Sequence, residues 1–132
     1  MKHISLLILL TILAFSLNAQ IKFFDGSFDQ AKELAVKEDK GLFIDFYADW
    51  CVPCKQMEKY GFRDKEFSRT IAANFIAVKV DVDQFVGMDV ADAYRVKKYP
   101  TLILTDSRSK ELNRRVGYQS VEQLNEFVQG FK

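Results

Sequence analysis

Apolar residues recur along the chain with two periods, and the switches between them mark out its elements. Ile21, Lys22, Phe23 and Phe24 suit a short first strand, and Ser27 then begins a segment with Phe28, Ala31, Leu34 and Ala35 on one face. Gln30, Lys32, Glu33, Lys37 and Glu38 fall elsewhere, which predicts an amphipathic helix ended by Gly41. Residues 42–48 run from Leu42 to Ala48 with a single charge, Asp45, the pattern of a central strand buried on both faces. A helical stretch reaches Tyr60, Gly61 allows a break, and a second helix starts at Asp64 and buries Phe67, Ile71 and Phe75.

The β-branched alternation of residues 76–82 predicts the next strand, and residues 86–94 a short helix carrying Val90, Ala93 and Tyr94 inward. Pro100 interrupts the chain before residues 101–105, and a turn-like 106–109 separates these from residues 111–116, so the two runs form an antiparallel hairpin. Ser120 with Gln123 resembles a capping box, and Val121, Leu124, Phe127, Val128 and Phe131 keep helical spacing to the end. This order predicts an α/β fold, a mixed sheet with helices on both faces and crossover connections in its first half. Ligand chemistry then belongs at the carboxyl end of the central strand.

The block ahead of this domain is of another kind. Lys2 and His3 precede an apolar run over residues 4–15, and Ser16, Asn18 and Ala19 bring in small and polar residues. The pattern reads as a secretory signal peptide over residues 1–19, cut after Ala19. The run is shorter than the ~20 residues of a spanning helix, and no cysteine follows closely enough to be lipidated. Residues 20–132 are then one exported domain with a single core, free of the membrane after cleavage and expected to be a monomer. Its compartment is the periplasm if the source is a Gram-negative bacterium.

Charge and histidine content narrow the chemistry. Loss of Lys2 from 19 basic residues against 18 acidic ones leaves the domain formally neutral, which argues against nucleic acid or an anionic membrane as partner. The only histidine, His3, leaves with the leader. That excludes a Ser/His or Cys/His catalytic pair, a haem-attachment site and a zinc site built on imidazole.

What remains is the pair Cys51 and Cys54, the only cysteines, set behind the apolar run and flanked by Trp50 and Lys55. With Cys51 opening a helix, the first thiol meets the unpaired amides of the first turn, and their partial positive charge favours a thiolate. In such settings the thiol pKa falls from about 8.5 to between roughly 3.5 and 7.5. A crosslink closing so short a loop removes little unfolded-chain entropy, so its value is chemical. Cys51, exposed at the helix start, is expected to attack a disulfide, and Cys54 to resolve the mixed disulfide. Val52 and Pro53 place neither charge nor imidazole between the cysteines, which favours a reductant or isomerase-supporting role over an oxidant. Two thiolates also allow a soft-metal carrier binding Cu(I), and a non-catalytic binding module is the third reading. Asp45 inside an apolar strand needs a partner or a raised pKa.

Asp45 through Lys55, Lys79 in its strand, Tyr99, Pro100 and Thr101 before the hairpin, and Gly117 after it together resemble the thioredoxin superfamily over residues 21–131. Residues 47–52 and 58–64 look most like the C-terminal periplasmic domain of the disulfide reductase DsbD and related exported thioredoxin-like proteins. The resemblance implies a thioredoxin fold, a cis bond at Tyr99-Pro100 and a reversible Cys51/Cys54 dithiol that serves without a metal or other cofactor. It implies that Asp45 exchanges protons with Cys54 beside a basic Lys79, and that Trp50, Pro53, Tyr99, Pro100 and Thr101 line the substrate surface. The implied partners are protein thiols and disulfides. The membrane-embedded section of DsbD is not in this chain, so an analogous electron donor is a separate membrane protein. Pro53 matches general thioredoxins better than the DsbD domain, and Lys97 with Lys98 is more charged than thioredoxins tend to be there.

Overall fold

In the computed structural model, which describes residues 19–131, the run after Gly41 is the axis of a four-stranded sheet. Gly41–Tyr47 (β1) pairs in parallel with Phe75–Asp81 (β2) on one edge and antiparallel with Thr101–Thr105 (β3) on the other. Glu111–Val116 (β4) completes the order β2-β1-β3-β4. The helices are Phe28–Glu38 (α1), Val52–Tyr60 (α2), Lys65–Asn74 (α3), Phe85–Ala93 (α4) and Val121–Phe127 (α5), with 3-10 turns at Gly61–Arg63 and Gln129–Phe131. A parallel β1–β2 pair requires a crossover, and α2 and α3 supply it.

Strand alternation divides the core in two. Leu42, Ile44 and Phe46 pack with Ala31 and Ala35 of α1 and Ala91 of α4. Phe43 points the other way, into a cluster with Met57 of α2, Phe67 and Ile71 of α3, and Leu124 and Phe127 of α5. There Phe43 meets Phe62 and Phe67 edge to face, both at 5.7 Å between ring centres. Both faces of β1 are therefore covered, as its unbroken apolar run requires. The hydroxyls of Ser27 and Ser120 cap α1 and α5 in reciprocal capping boxes, and the Asp64 carboxylate caps α3 by accepting from Phe67 N–H at 2.9 Å.

Four elements differ from the sequence expectation. Residues 21–24 make a single bridge, Phe23 to Ala77, instead of a strand. Ile21 N–H goes to the Phe62 carbonyl and not to β2, while the Phe23 ring packs on Phe43 and Phe62. Asp39, not Gly41, ends α1, in the left-handed conformation with φ 50°; Gly41 already belongs to β1, where a Cβ would run into the Thr105 carbonyl. Phe75 is the first residue of β2, and Ala93 faces solvent. Val90 and the C-cap Tyr94 pack on the core as expected, but the most buried residues of α4 are Gly87 and Ala91, because Gly87 lets the helix close onto the Asp81 carbonyl.

The segment read as a signal peptide lies outside the described residues apart from Ala19. Among the described residues no helix is long and apolar enough to cross a membrane.

Gly87 tests the α4 packing directly. Alanine in an open helix interior gains about 1 kcal/mol over glycine. Gly87→Ala instead drives its methyl into backbone, so it should cost about 2–4 kcal/mol in urea unfolding. Gly130→Ala, where a Cβ meets nothing within 4 Å, should stay within about 0.5 kcal/mol of the parent.

Candidate active site

The carboxyl end of β1 delivers the chain to a tight turn in which Cys51 N–H donates to the Ala48 carbonyl at 3.1 Å. Cys51 is the N-cap of α2, with extended φ −81° and ψ 101°, and its Sγ accepts from the Cys54 N–H at 3.3 Å. Pro53 occupies the first turn, where its missing N–H costs nothing and its fixed φ suits the helix. Cys51 and Cys54 are joined as a disulfide, their Cα atoms 5.3 Å apart. The same Cys54 amide and the helix N-terminus would face a thiolate at Cys51 once the bond is reduced.

Cys51 is less open than its helix-start position suggests. It is 4% exposed and Cys54 6%, and both pack in the cluster that holds Ala48 and Val82. The bond joins the Cys51 sulfur to Cys54, itself buried in the first turn of α2. What is exposed is the rim: Val52, Pro53, and above all Trp50 at 66%. The Trp50 indole is held from two sides, donating Nε1–H to Asp83 Oδ2 at 3.0 Å and meeting the Tyr99 ring edge to face at 6.3 Å.

Tyr99-Pro100 is a cis peptide bond. Pro100 is buried, and its carbonyl accepts from Gly117 N–H at 2.7 Å, Gly117 taking φ 86° to reach it. Thr101 is buried too, its hydroxyl donating inward to the Lys98 carbonyl at 2.7 Å. Beside Tyr99 a shallow concavity of about 440 Å³ opens against α4, with Val82, Asp83, Met88, Val96 and Lys97 in its wall.

Asp45 sits at the middle of β1, 3% exposed, and its Oδ1 has no hydrogen-bond partner. Burial pushes its pKa from 3.8 up to about 7; nearby Lys79 opposes the rise and Glu58 adds to it. Lys79 is the β2 residue in register with Asp45, yet its ammonium bonds elsewhere, to Glu58 Oε2 at 2.8 Å. The Tyr47 ring at 4.3 Å and the Phe23 ring at 5.5 Å hold it from the sides. Glu58 is therefore a member of this group that the sequence reading did not single out. Its signal was present: four residues beyond Cys54 on α2, it shares that cysteine's helical face.

The arrangement brings Cys51, Cys54, Trp50, Pro53, Tyr99 and Pro100 to one end of the sheet, with the Asp45, Lys79 and Glu58 group on the neighbouring strands and α2. A reduced pair here has an amide aimed at the first sulfur and a carboxyl in the adjoining strand that changes charge near neutral pH. A thiolate favoured by that amide is what thiol–disulfide exchange requires.

A thioredoxin-like domain model matches residues 28–132. The chain is 43% identical over 90 residues to a thioredoxin of Echinococcus granulosus, covering 67% of this chain and 75% of that protein. It is 33% identical over 103 residues to the thiol:disulfide interchange protein DsbD of Yersinia pestis strain Pestoides F, covering 73% of this chain and 17% of that one. It spans just under two thirds, 65%, of the thioredoxin-1 proteins of two Drosophila species that it also matches. Among solved structures, a proposed disulphide-isomerase of Bacteroides thetaiotaomicron superposes with a TM-score of 0.70 at 33% identity, covering 81% of this chain and 89% of that one.

A native Asp45 carboxyl with pKa about 7 holds its proton more tightly than the unfolded one near 3.8. Stability of the oxidised domain should therefore fall as pH rises from about 4 to about 7, by on the order of 4 kcal/mol. Urea unfolding at successive pH values reads this slope directly. Asp45→Asn should remove that fall and exceed the parent in stability at pH 8; parallel profiles for the two proteins would refute the assignment.

Proposed function

The chain belongs to the thioredoxin-like family, and on that premise we propose that it is an exported thiol–disulfide oxidoreductase that reduces or exchanges protein disulfides. The observation that carries this reading is the Cys51–Cys54 disulfide at the N-terminus of α2, with the Cys54 amide directed at Cys51 Sγ.

In the reduced protein Cys51 attacks as the thiolate. Its sulfur forms a bond to one substrate sulfur, the substrate S–S bond breaks, and the second substrate sulfur leaves with the electron pair and takes a proton. Cys54 then loses its proton, with Asp45 as the acceptor, and attacks Cys51 Sγ. The mixed disulfide breaks, the first substrate sulfur departs as a thiol, and the Cys51–Cys54 disulfide of this structure remains. Two electrons have passed from the dithiol to the substrate, and a donor dithiol must return them. A carboxyl that titrates near 7 suits this exchange, because it accepts and returns a proton at little cost around neutral pH. Trp50, Pro53 and Tyr99 present the apolar rim on which an extended substrate segment lies, and the buried Pro100 and Thr101 brace the loop beneath it.

Residues 1–19 export the domain and are cut away, leaving residues 20–132 as a periplasmic protein in a Gram-negative source. A separate membrane protein serves as its electron donor, and the similarity to a thiol:disulfide interchange protein supports the exchange of dithiols between proteins. The uncharged Val52 and Pro53 between the cysteines support the reducing direction. Nothing beyond the dithiol itself favours the Cu(I) carrier.

Cys54→Ser should still attack and accumulate mixed disulfides visible on a non-reducing gel, whereas Cys51→Ser should lose turnover by at least about 100-fold. Normal turnover by either variant defeats the mechanism. Equilibration of the mature domain with dithiothreitol should place the pair near the reducing end of the scale, about −270 mV; a value near about −120 mV would reverse the direction of flow.

A further inference from the structure

Residues 95–99 carry the chain from α4 to the cis Tyr99-Pro100 bond without joining any helix or strand. Whatever fixes their path fixes the rim offered to a substrate. At the far end the path is set by the Thr101 hydroxyl on the Lys98 carbonyl and by Gly117 N–H on the Pro100 carbonyl.

At the near end the path begins at Tyr94, the C-cap of α4. The last carbonyls of a helix lack partners within it and carry partial negative charge. Lysine or arginine in the last turn often answers them, but α4 has no basic residue there. The cation comes from across the fold. Arg114 on β4 donates from Nη2 to the Tyr94 carbonyl at 2.7 Å. The same guanidinium is oriented by Glu111, donating Nε–H to Oε1 at 2.7 Å and from Nη2 to Oε2 at 2.6 Å. Both side chains are only about one-third exposed, 32% and 34%. The Tyr94 hydroxyl meanwhile donates to the Ser109 carbonyl in the β3–β4 turn at 2.9 Å, so Tyr94 is tied to the hairpin through backbone and side chain alike. Arg95 then takes the left-handed conformation with φ 55°, and Val96 N–H returns to the Ala91 carbonyl at 2.8 Å.

We propose that Arg114, oriented by Glu111, is a positioning residue for the substrate loop: its bond to the Tyr94 carbonyl closes residues 94–101 and the hairpin into one frame that holds Tyr99 and Pro100 against Cys51. The frame is continuous, since Arg114 stands opposite Ile103 on β3 and Thr101 of β3 directly follows Pro100. A planar fork satisfies Glu111 and Tyr94 together; an ammonium on a flexible stem does so less well. The inference rests on the oxidoreductase reading, in which this rim receives the substrate.

The test compares the parent, Arg114→Met and Arg114→Lys, using insulin as a protein disulfide and oxidised glutathione as a small one, with hydrogen exchange at the Val96 and Gly117 amides, which are bonded to the Ala91 and Pro100 carbonyls at the two ends of the loop. Arg114→Met should raise KM for insulin at least about fivefold with kcat nearly unchanged, and leave the glutathione rate within about twofold. Those two amides should exchange about tenfold faster while Ile44 and Phe46 in β1 keep their protection. Arg114→Lys should fall between. An unchanged insulin KM, unchanged loop exchange, or equal losses on both substrates together with faster exchange in β1 would each overturn the proposal. The exchange arm needs no turnover. A parent that fails to reduce insulin would refute the function, and the loop amides of the variant would still decide whether Arg114 holds the loop.

Discussion

A backbone N–H that points at a sulfur, that of Cys54 toward Cys51 at 3.3 Å, can be kept there only if a helix begins at a fixed place and angle. That place is the carboxyl end of β1. The strand is hydrogen-bonded on both edges and covered on both faces, so its end is held from four sides. The rest of the fold follows from covering it. β2 and β3 take its edges, α1 and α4 pack on one face, and α2, α3 and α5 on the other. The disulfide thus gains its position from core packing, while its chemistry comes from the first turn of one helix.

The same strand carries the main departure from core economy, a carboxyl with an unpartnered oxygen. A cation stands in register with it on β2, but that cation is engaged by Glu58 and by two aromatic rings. Desolvation outweighs the attraction of Lys79, and Asp45 titrates near 7. A direct ion pair would have lowered the pKa and left a carboxylate unable to take a proton. Burial without a partner thus leaves Asp45 able to change charge near neutral pH.

The opposite wall of the site is made differently. Trp50 comes from the turn before α2, braced by Asp83 and Tyr99, whereas Tyr99 and Pro100 hang on a loop between α4 and β3. No regular ladder holds that loop, so its order depends on separate bonds from Thr101, Gly117 and Arg114. The edge strand β4, polar and half exposed, serves by anchoring: Asn113 reaches the Phe127 carbonyl of α5, Arg115 lies over the Phe127 ring, and Arg114 reaches α4.

Periodicity and spacing alone determined much of this protein. An unbroken apolar run marked β1, and alternation, turn signals and helical spacing marked the other strands, the hairpin and the five helices of the described residues, because each element shows in its period how many of its faces it buries. The two-residue spacing of the cysteines behind a buried strand marked the reactive end of the sheet. Misplaced details were those in which the chain answers a distant neighbour. Ile21 turned to Phe62, Gly41 was needed against Thr105, and Gly87 was needed against Asp81. Lys79 went to Glu58 on a helix 21 residues away, and Arg114 to a carbonyl 20 residues away. Local propensity sets periods, and those a sequence displays openly. Which of two nearby charges a side chain joins, and which helix face closes on a carbonyl, depend on distances that exist only once the layers have packed.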